Sequence, residues 1–309
     1  MRILGLGDNV VDKYLHTGVM YPGGNAYNIA ALASLSGAEA GYLGVFGEDE
    51  AGKHVYQTAK DLGIDVSLCR FYPGENGYAE VRLDNGDRVF VGSNQGGVSR
   101  EHPLVLSEVD LSYISTYDVC HTSIFSYTED ILPQIRDASP FVSMDFSNRY
   151  DEEYLKRCCP YLDMAEISCS DMSREEIISQ MERIRSYGCR ELVLATRGSA
   201  GAILMAADKV YEQSPCLVEA TDTMGAGDSF ITSFILHYVE GSWDARDFPE
   251  ESGKLGITTK ADFLDALIRV SLYEAAVFSA GNCRREGSFG FGKSFRQACM
   301  NKDIEGISL

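Results

Sequence analysis

Apolar and polar positions follow two rhythms along this chain. Short apolar runs at residues 3–7, 41–46, 118–123, 141–146, 164–169 and 191–196 have the length of buried strands. Between them, apolar residues recur three and four apart, as on one face of a helix. At 25–36, Ala26, Ile29, Ala30 and Ala33 share a face and Gly37 stops the helix; a second helix at 51–62 closes on Gly63. Ser173-Arg-Glu-Glu176 is a capping box that opens a helix running to about Tyr187. Repeated strand–helix alternation predicts an α/β fold: a mostly parallel sheet covered by helices on both faces.

One segment breaks the pattern. Residues 78–91 alternate with period two around Asn85-Gly86, a hairpin signal. It is either a small second sheet projecting from the core or a plain surface hairpin. Residues 241–261 are polar and contain glycine, and read as a loop insertion between two helical patterns. There is no internal repeat.

Composition narrows the function. The 309 residues carry 46 acidic against 27 basic side chains, a formal charge of -19. That field disfavours nucleic acid and anionic membrane surfaces as partners, and any phosphate site must be built locally. No apolar run has the length of a membrane span, and the first residues do not read as a signal peptide. Nine cysteines without a C-x-x-C pair point to a reducing compartment, hence a cytoplasmic protein, and away from a zinc site.

Three glycine-rich segments compete for a phosphate. Gly5-Leu-Gly7-Asp-Asn lacks the third glycine of a dinucleotide fingerprint and puts an acid where pyrophosphate would lie, so it reads as a strand end turning into a loop. Gly287-Ser-Phe-Gly-Phe-Gly292-Lys-Ser294 satisfies the P-loop expression, but no apolar strand precedes it and too little chain follows to build a P-loop sheet. It reads instead as a flexible loop lining a site or capping the fold. Asp222-Thr-Met-Gly-Ala-Gly-Asp228 precedes a helical pattern whose apolar face is Phe230, Ile231, Phe234, Ile235 and Tyr238. Bare amides at a helix N-terminus make an anion cradle. Asp228, at its edge, is either a helix cap or a base beside a transferring phosphoryl group.

That segment resembles the C-terminal signature of the ribokinase (PfkB) family of sugar and nucleoside kinases. Gly23-Gly24-Asn25, Gly44-Val-Phe-Gly47-Glu-Asp49-Glu-Ala-Gly52 and Thr196-Arg-Gly198-Ser-Ala-Gly201 resemble its other motifs, in family order. Gly7-Asp-Asn9-Val-Val-Asp12, Gly23-Gly-Asn-Ala-Tyr-Asn28, Asp145-Phe-Ser-Asn-Arg-Tyr-Asp151 and 287–292 look like its fructoselysine 6-kinase subgroup, which phosphorylates the 6-hydroxyl of Amadori-modified lysine. The alternatives are another ketose, a ribose or a nucleoside as substrate, or a non-catalytic binding relative.

The resemblance implies one ribokinase-like kinase domain over residues 1–309, with a small β-sheet lid from strands near 13–22 and 74–95. It implies ATP and Mg²⁺, a sugar substrate and a homodimer formed through the lid. It makes Asp228 the catalytic base and the amides of Gly225, Ala226, Gly227 and Asp228 the anion hole. Asp12, Gly24, Asn25, Asn28 and Arg149 would contact the substrate; Asp12 also reads as a turn acid, Asn25 as a helix cap and Arg149 as a surface residue. Thr196, Gly198, Gly201 and Thr223 would hold the nucleotide. Many family members carry N-x-x-E after a central strand. Here the stretch is Ser168-Cys-Ser-Asp171, which leaves Asp171 to reach the metal through water.

Overall fold

A computed structural model describes residues 1–84, 87–244 and 259–295. In chain order the elements begin β1 (Arg2–Gly7), β2 (Val10–Tyr14), β3 (Val19–Gly23), α1 (Asn25–Leu35), β4 (Glu39–Gly47), α2 (Glu50–Asp61), β5 (Arg70–Tyr72), β6 (Gly77–Asp84) and β7 (Asp87–Ser93). They continue with α3 (Val98–Glu101), α4 (Glu108–Ile114), β8 (Val119–Ser123), α5 (Leu132–Ala138), β9 (Val142–Asp145), α6 (Glu152–Cys158), β10 (Met164–Ser168) and α7 (Arg174–Ser186). The last are β11 (Leu192–Thr196), β12 (Ala202–Ala206), β13 (Lys209–Gln213), α8 (Ala226–Asp244), α9 (Lys260–Asn282) and β14 (Lys293–Ser294).

Nine strands form one sheet in the order β13-β12-β11-β10-β9-β8-β1-β4-β5. Every pair from β11 to β5 is parallel; β12 runs the other way, antiparallel to both β11 and β13. The architecture is as expected: a mostly parallel sheet, helices against it, and a second, smaller sheet. In that smaller sheet the order is β14-β3-β2-β6-β7. The period-two stretch supplies β6 and β7, which pair antiparallel; the turn residues Asn85 and Gly86 lie outside the described residues. The segment near 13–22 falls on β2 and β3. β2 pairs antiparallel with β3 across a turn at 15–18, and parallel with β6.

Two apolar layers cover the large sheet. One centres on α1, α8 and α9, the other on the α5–α7 side. Helix α1 is buried along nine of its eleven residues, because it lies between the sheet and α8. Alanines make that approach possible on one side and Gly5 on the other: a Cβ at Gly5 would stand 2.1 Å from the Ala26 carbonyl oxygen. The capping box at Ser173 and Glu176 forms as read.

Residues 241–261 differ from a plain loop at both ends. Gly241 to Asp244 continue α8, and Lys260 begins α9 behind a Thr259–Asp262 capping box. The intervening 245–258 lie outside the described residues.

Candidate active site

The parallel strands β1, β8, β9, β10 and β11 end on one edge of the sheet, where α/β folds place their ligands. The order reverses at β1, which has β4 on one side and β8 on the other. Immediately after β1, Asp8 turns back onto the start of α1. Its carboxylate accepts from the amides of Asn25 (2.7 Å) and Ala26 (3.2 Å) and from the hydroxyls of Ser123 (2.7 Å) and Ser126 (2.7 Å). The acid that spoiled the dinucleotide fingerprint therefore caps a helix. Gly24 is the N-cap position itself. Its φ is +102°, and a Cβ there would meet the Asn9 backbone at 2.7 Å.

With α1 capped by Asp8, Asn25 is not a cap. Its side chain points into the cluster. One Nδ2 group donates at 2.8 Å to Asp228 Oδ1 and at 2.8 Å to Asp145 Oδ2, while Oδ1 faces His121 Nε2 at 2.8 Å. One turn on, Asn28 Nδ2 donates to Asp228 Oδ2 at 2.6 Å and to Ser288 Oγ at 3.1 Å. Two asparagine amides thus fix both oxygens of Asp228. Asn28 Oδ1 is buried without a partner, so it is an open acceptor for a hydroxyl.

Asp228 lies in the first turn of α8, half-buried, with Phe230, Ile231, Phe234, Ile235 and Tyr238 packed beneath it as the periodicity predicts. Desolvation raises its pKa to about 6, opposed by the Asn28 and Asn25 hydrogen bonds. Asp12, in β2, and Asp145, at the end of β9, are buried and raised to about 7, first by desolvation and next by the Asp228 charge. Three acids crowded in this way cost stability whenever they ionise. The unfolded chain releases these protons near pH 4, whereas the folded chain holds them to about 6–7. Stability therefore falls as pH rises through that window. Asp12→Asn should raise the melting temperature more at pH 8 than at pH 4; an equal gain at both would refute the crowding.

The glycine loop before α8 is held from two sides. Asp222 accepts from Tyr14 Oη (2.7 Å), the Gly287 amide (2.9 Å) and the Met224 amide (2.6 Å). Gly225 has φ +68°, and its Cα packs on Ser288. Ser288 and Phe289 are buried, Asn282 Nδ2 donates to the Ser288 carbonyl (2.6 Å), and His54 Nε2 lies 2.8 Å from the Phe291 carbonyl. The 287–292 segment is accordingly a pinned buttress beneath the glycine loop, not a flexible one. A Cβ at Gly227 would meet nothing within 4 Å, so the α8 N-terminus opens onto free space there. Of the expected anion-hole amides, Ala226 already donates to the Thr223 carbonyl at 3.2 Å. The first-turn amides of Gly227 and Asp228 have no carbonyl one turn back within the helix.

The other expected residues spread along the same edge. Thr196 ends β11, half-buried. Gly198 (φ +54°) and Gly201 (φ +88°) shape the turn after it, and a Cβ at Gly201 would strike the Gln213 carbonyl at 2.0 Å. Thr223 is exposed beside the glycine loop. Arg149 is exposed after β9, and among the described residues no side-chain hydrogen bond joins it to the cluster. Asp171 is exposed after β10. Among the described residues no three His, Cys, Asp or Glu side chains gather as a metal site, and no helix is long and apolar enough to cross a membrane. Sequence reading missed His121 and gave no separate role to Asp145, Asp222 and Ser288, although each stands in a quoted motif. A histidine inside the apolar β8 run was the one signal for His121.

Residues 4–257 match the family model described as pfkB family carbohydrate kinase. The chain belongs to the pfkB family. It is 39% identical to the fructosamine kinase FrlD of Bacillus subtilis (strain 168), over 96% of this chain and 95% of that one. It is 33% identical to the fructoselysine 6-kinase of Escherichia coli (strain K12), over 76% of this chain and 88% of that one. Two solved structures share this pfkB kinase's fold. Ribokinase from Giardia lamblia has a TM-score of 0.72 at 17% identity, covering 93% of this chain and 94% of its own. Arabidopsis thaliana ribokinase, complexed with ribose and ATP, has 0.70 at 19%, covering 89% and 91%. This pfkB protein is an ATP-dependent carbohydrate kinase, acting on a small-molecule sugar.

Proposed function

We propose that this kinase transfers the γ-phosphoryl group of ATP to the 6-hydroxyl of fructoselysine, with Asp228 as the base. The observation that carries the substrate is the 39% identity to a fructosamine kinase along almost the full length of both chains. Asp228 carries the chemistry: its carboxylate is aimed by two amides, half-buried, and sits in the open N-terminal turn of α8 beside Gly227. The sugar lies against Asp12, Gly24 and the open Asn28 Oδ1, with Arg149 reaching it from the loop after β9. Asp228 takes the hydroxyl proton as the oxygen attacks, and the amides of Gly225, Gly227 and Asp228 face the transferred group. Thr196, Gly198, Gly201 and Thr223 hold the nucleotide.

Mg²⁺ usually takes one or two carboxylates plus substrate phosphates rather than a protein cage. Asp171, exposed after β10, would supply one carboxylate, reaching the ion through water. Bound there, the ion would neutralise phosphate charge. We take residues 1–309 as one kinase domain, cytoplasmic, with the small sheet as a lid over the sugar. Val89, Phe90 and Val91 on edge strand β7 are exposed, which suits pairing with a second copy.

A panel of fructoselysine, fructose, ribose and a nucleoside, each with ATP and with or without Mg²⁺, tests the substrate. Turnover should be highest on fructoselysine and need the metal; a preference for ribose or a nucleoside refutes it. The base assignment also fixes the pH profile. Asp228 must be ionised to accept a proton, so kcat/KM should fall as pH drops through about 6. A flat profile down to pH 4 contradicts it.

A further inference from the structure

We propose that His121 is a positioning residue for Asp228, acting through Asn25. The inference starts from which atoms can face each other. Once the pH is above the 6–7 range in which they hold their protons, Asp145 and Asp228 are ionised, accept hydrogen bonds and cannot donate them. The Asn25 amide approaches both at 2.8 Å, so the end that meets them is the NH₂ group, with one hydrogen for each. The carbonyl end then points the other way, to His121 Nε2 at 2.8 Å. A carbonyl only accepts, so Nε2 carries the ring proton. The neutral ring leaves Nδ1 as an acceptor, which the Ser143 hydroxyl fills at 2.7 Å. Each member of the chain Ser143–His121–Asn25 has one orientation that satisfies it.

The ring is fully buried, on β8, and burial lowers its pKa to about 3. It stays neutral, in one tautomer, across the range where the kinase works. The buried and half-buried acids of this region are Asp8 after β1, Asp12 in β2 of the small sheet, Asp145 in β9, Glu166 in β10 and Asp228 in α8. A charged imidazolium would pair with one of them; the neutral N–H instead holds an amide between two. Reversing the Asn25 amide would set its carbonyl oxygen against two carboxylates. Without His121 the buried Asn25 carbonyl loses its donor; a change of rotamer that finds another partner takes the NH₂ group with it, and Asp228 loses one of its two amide contacts.

The kinetic arm rests on Asp228 being the base; the tautomer does not. In the full chain with ¹⁵N-labelled histidine, His121 should show the Nε2–H pattern, and an Nδ1–H ring overturns the proposal. In kinetics, His121→Leu should lower kcat by about tenfold or more while KM for ATP changes less than about twofold. His121→Gln places an N–H near the position of Nε2 and should recover most of that loss. Equal kcat in the two variants, both melting as folded proteins, reduces His121 to core filling and overturns the proposal. If the leucine variant does not fold, the tautomer decides. Failure of the base assignment looks different: Asp228→Asn would keep its turnover while the His121 ring still showed Nε2–H.

Discussion

Asp228→Asn should lower turnover by about 10²–10⁴-fold, the contribution expected of a positioned general base, with ATP affinity retained. The substitution is nearly isosteric and removes the charge that makes the group a proton acceptor. It also relieves the desolvation and like-charge cost that raise Asp228, Asp12 and Asp145 together. The variant should therefore melt higher than the parent at pH 8 even as it loses activity, as when a strained site trades stability for function. Measuring kcat and the melting curve on one preparation separates the two. Near-parental turnover would remove Asp228 from the chemistry, and a lower melting temperature would mean that its two amide hydrogen bonds outweigh the crowding.

Asp8→Ala should be the most damaging change outside the reacting groups. Its carboxylate, just after β1, joins the α1 amides of Asn25 and Ala26 to the hydroxyls of Ser123, which ends β8, and Ser126 beyond it. Removing it uncaps a buried helix and leaves the Ser123 and Ser126 hydroxyls, 3.1 Å apart, with one donor hydrogen unmatched between them, a loss of about 3 kcal/mol. Asn25 and Asn28 ride on that helix, so the hands that aim Asp228 shift with it. A melting temperature several degrees lower and a drop in kcat are expected together. An unchanged melting curve would show that Gly24 and the α1 packing hold the helix start without the acid.

Much of this was legible in the residues. The strand at Arg2–Gly7, the helix from Asn25, the hairpin at 78–91 and the glycine loop before α8 each carry a local signal. What reached the eye poorly has a common cause. β12 and β13 close the large sheet as an antiparallel pair turning at Ala207 and Asp208, and no residue there is a strong turn former of the Asn-Gly kind. Asn25 looked like a cap because its type and position fit one; only the fold shows that Asp8, seventeen residues earlier, already does that work. His121 and Asp145 gain meaning from partners 96 and 120 residues away, and no window of sequence reports such pairs. The literal P-loop match failed through its surroundings, and those surroundings gave Ser288 its place against Gly225.

The small sheet carries a consequence for synthesis. Its strands come from three distant stretches of chain: β2 and β3 near the start, β6 and β7 a quarter of the way along, and β14 at 293–294, which pairs with β3. A nascent chain leaves the ribosome from its N-terminal end, so β3 waits for its neighbour until residues 293–294 have emerged. The side of the enzyme that holds Asp12 is completed last, and a chain stalled before residue 293 would leave the β3 edge open to strangers.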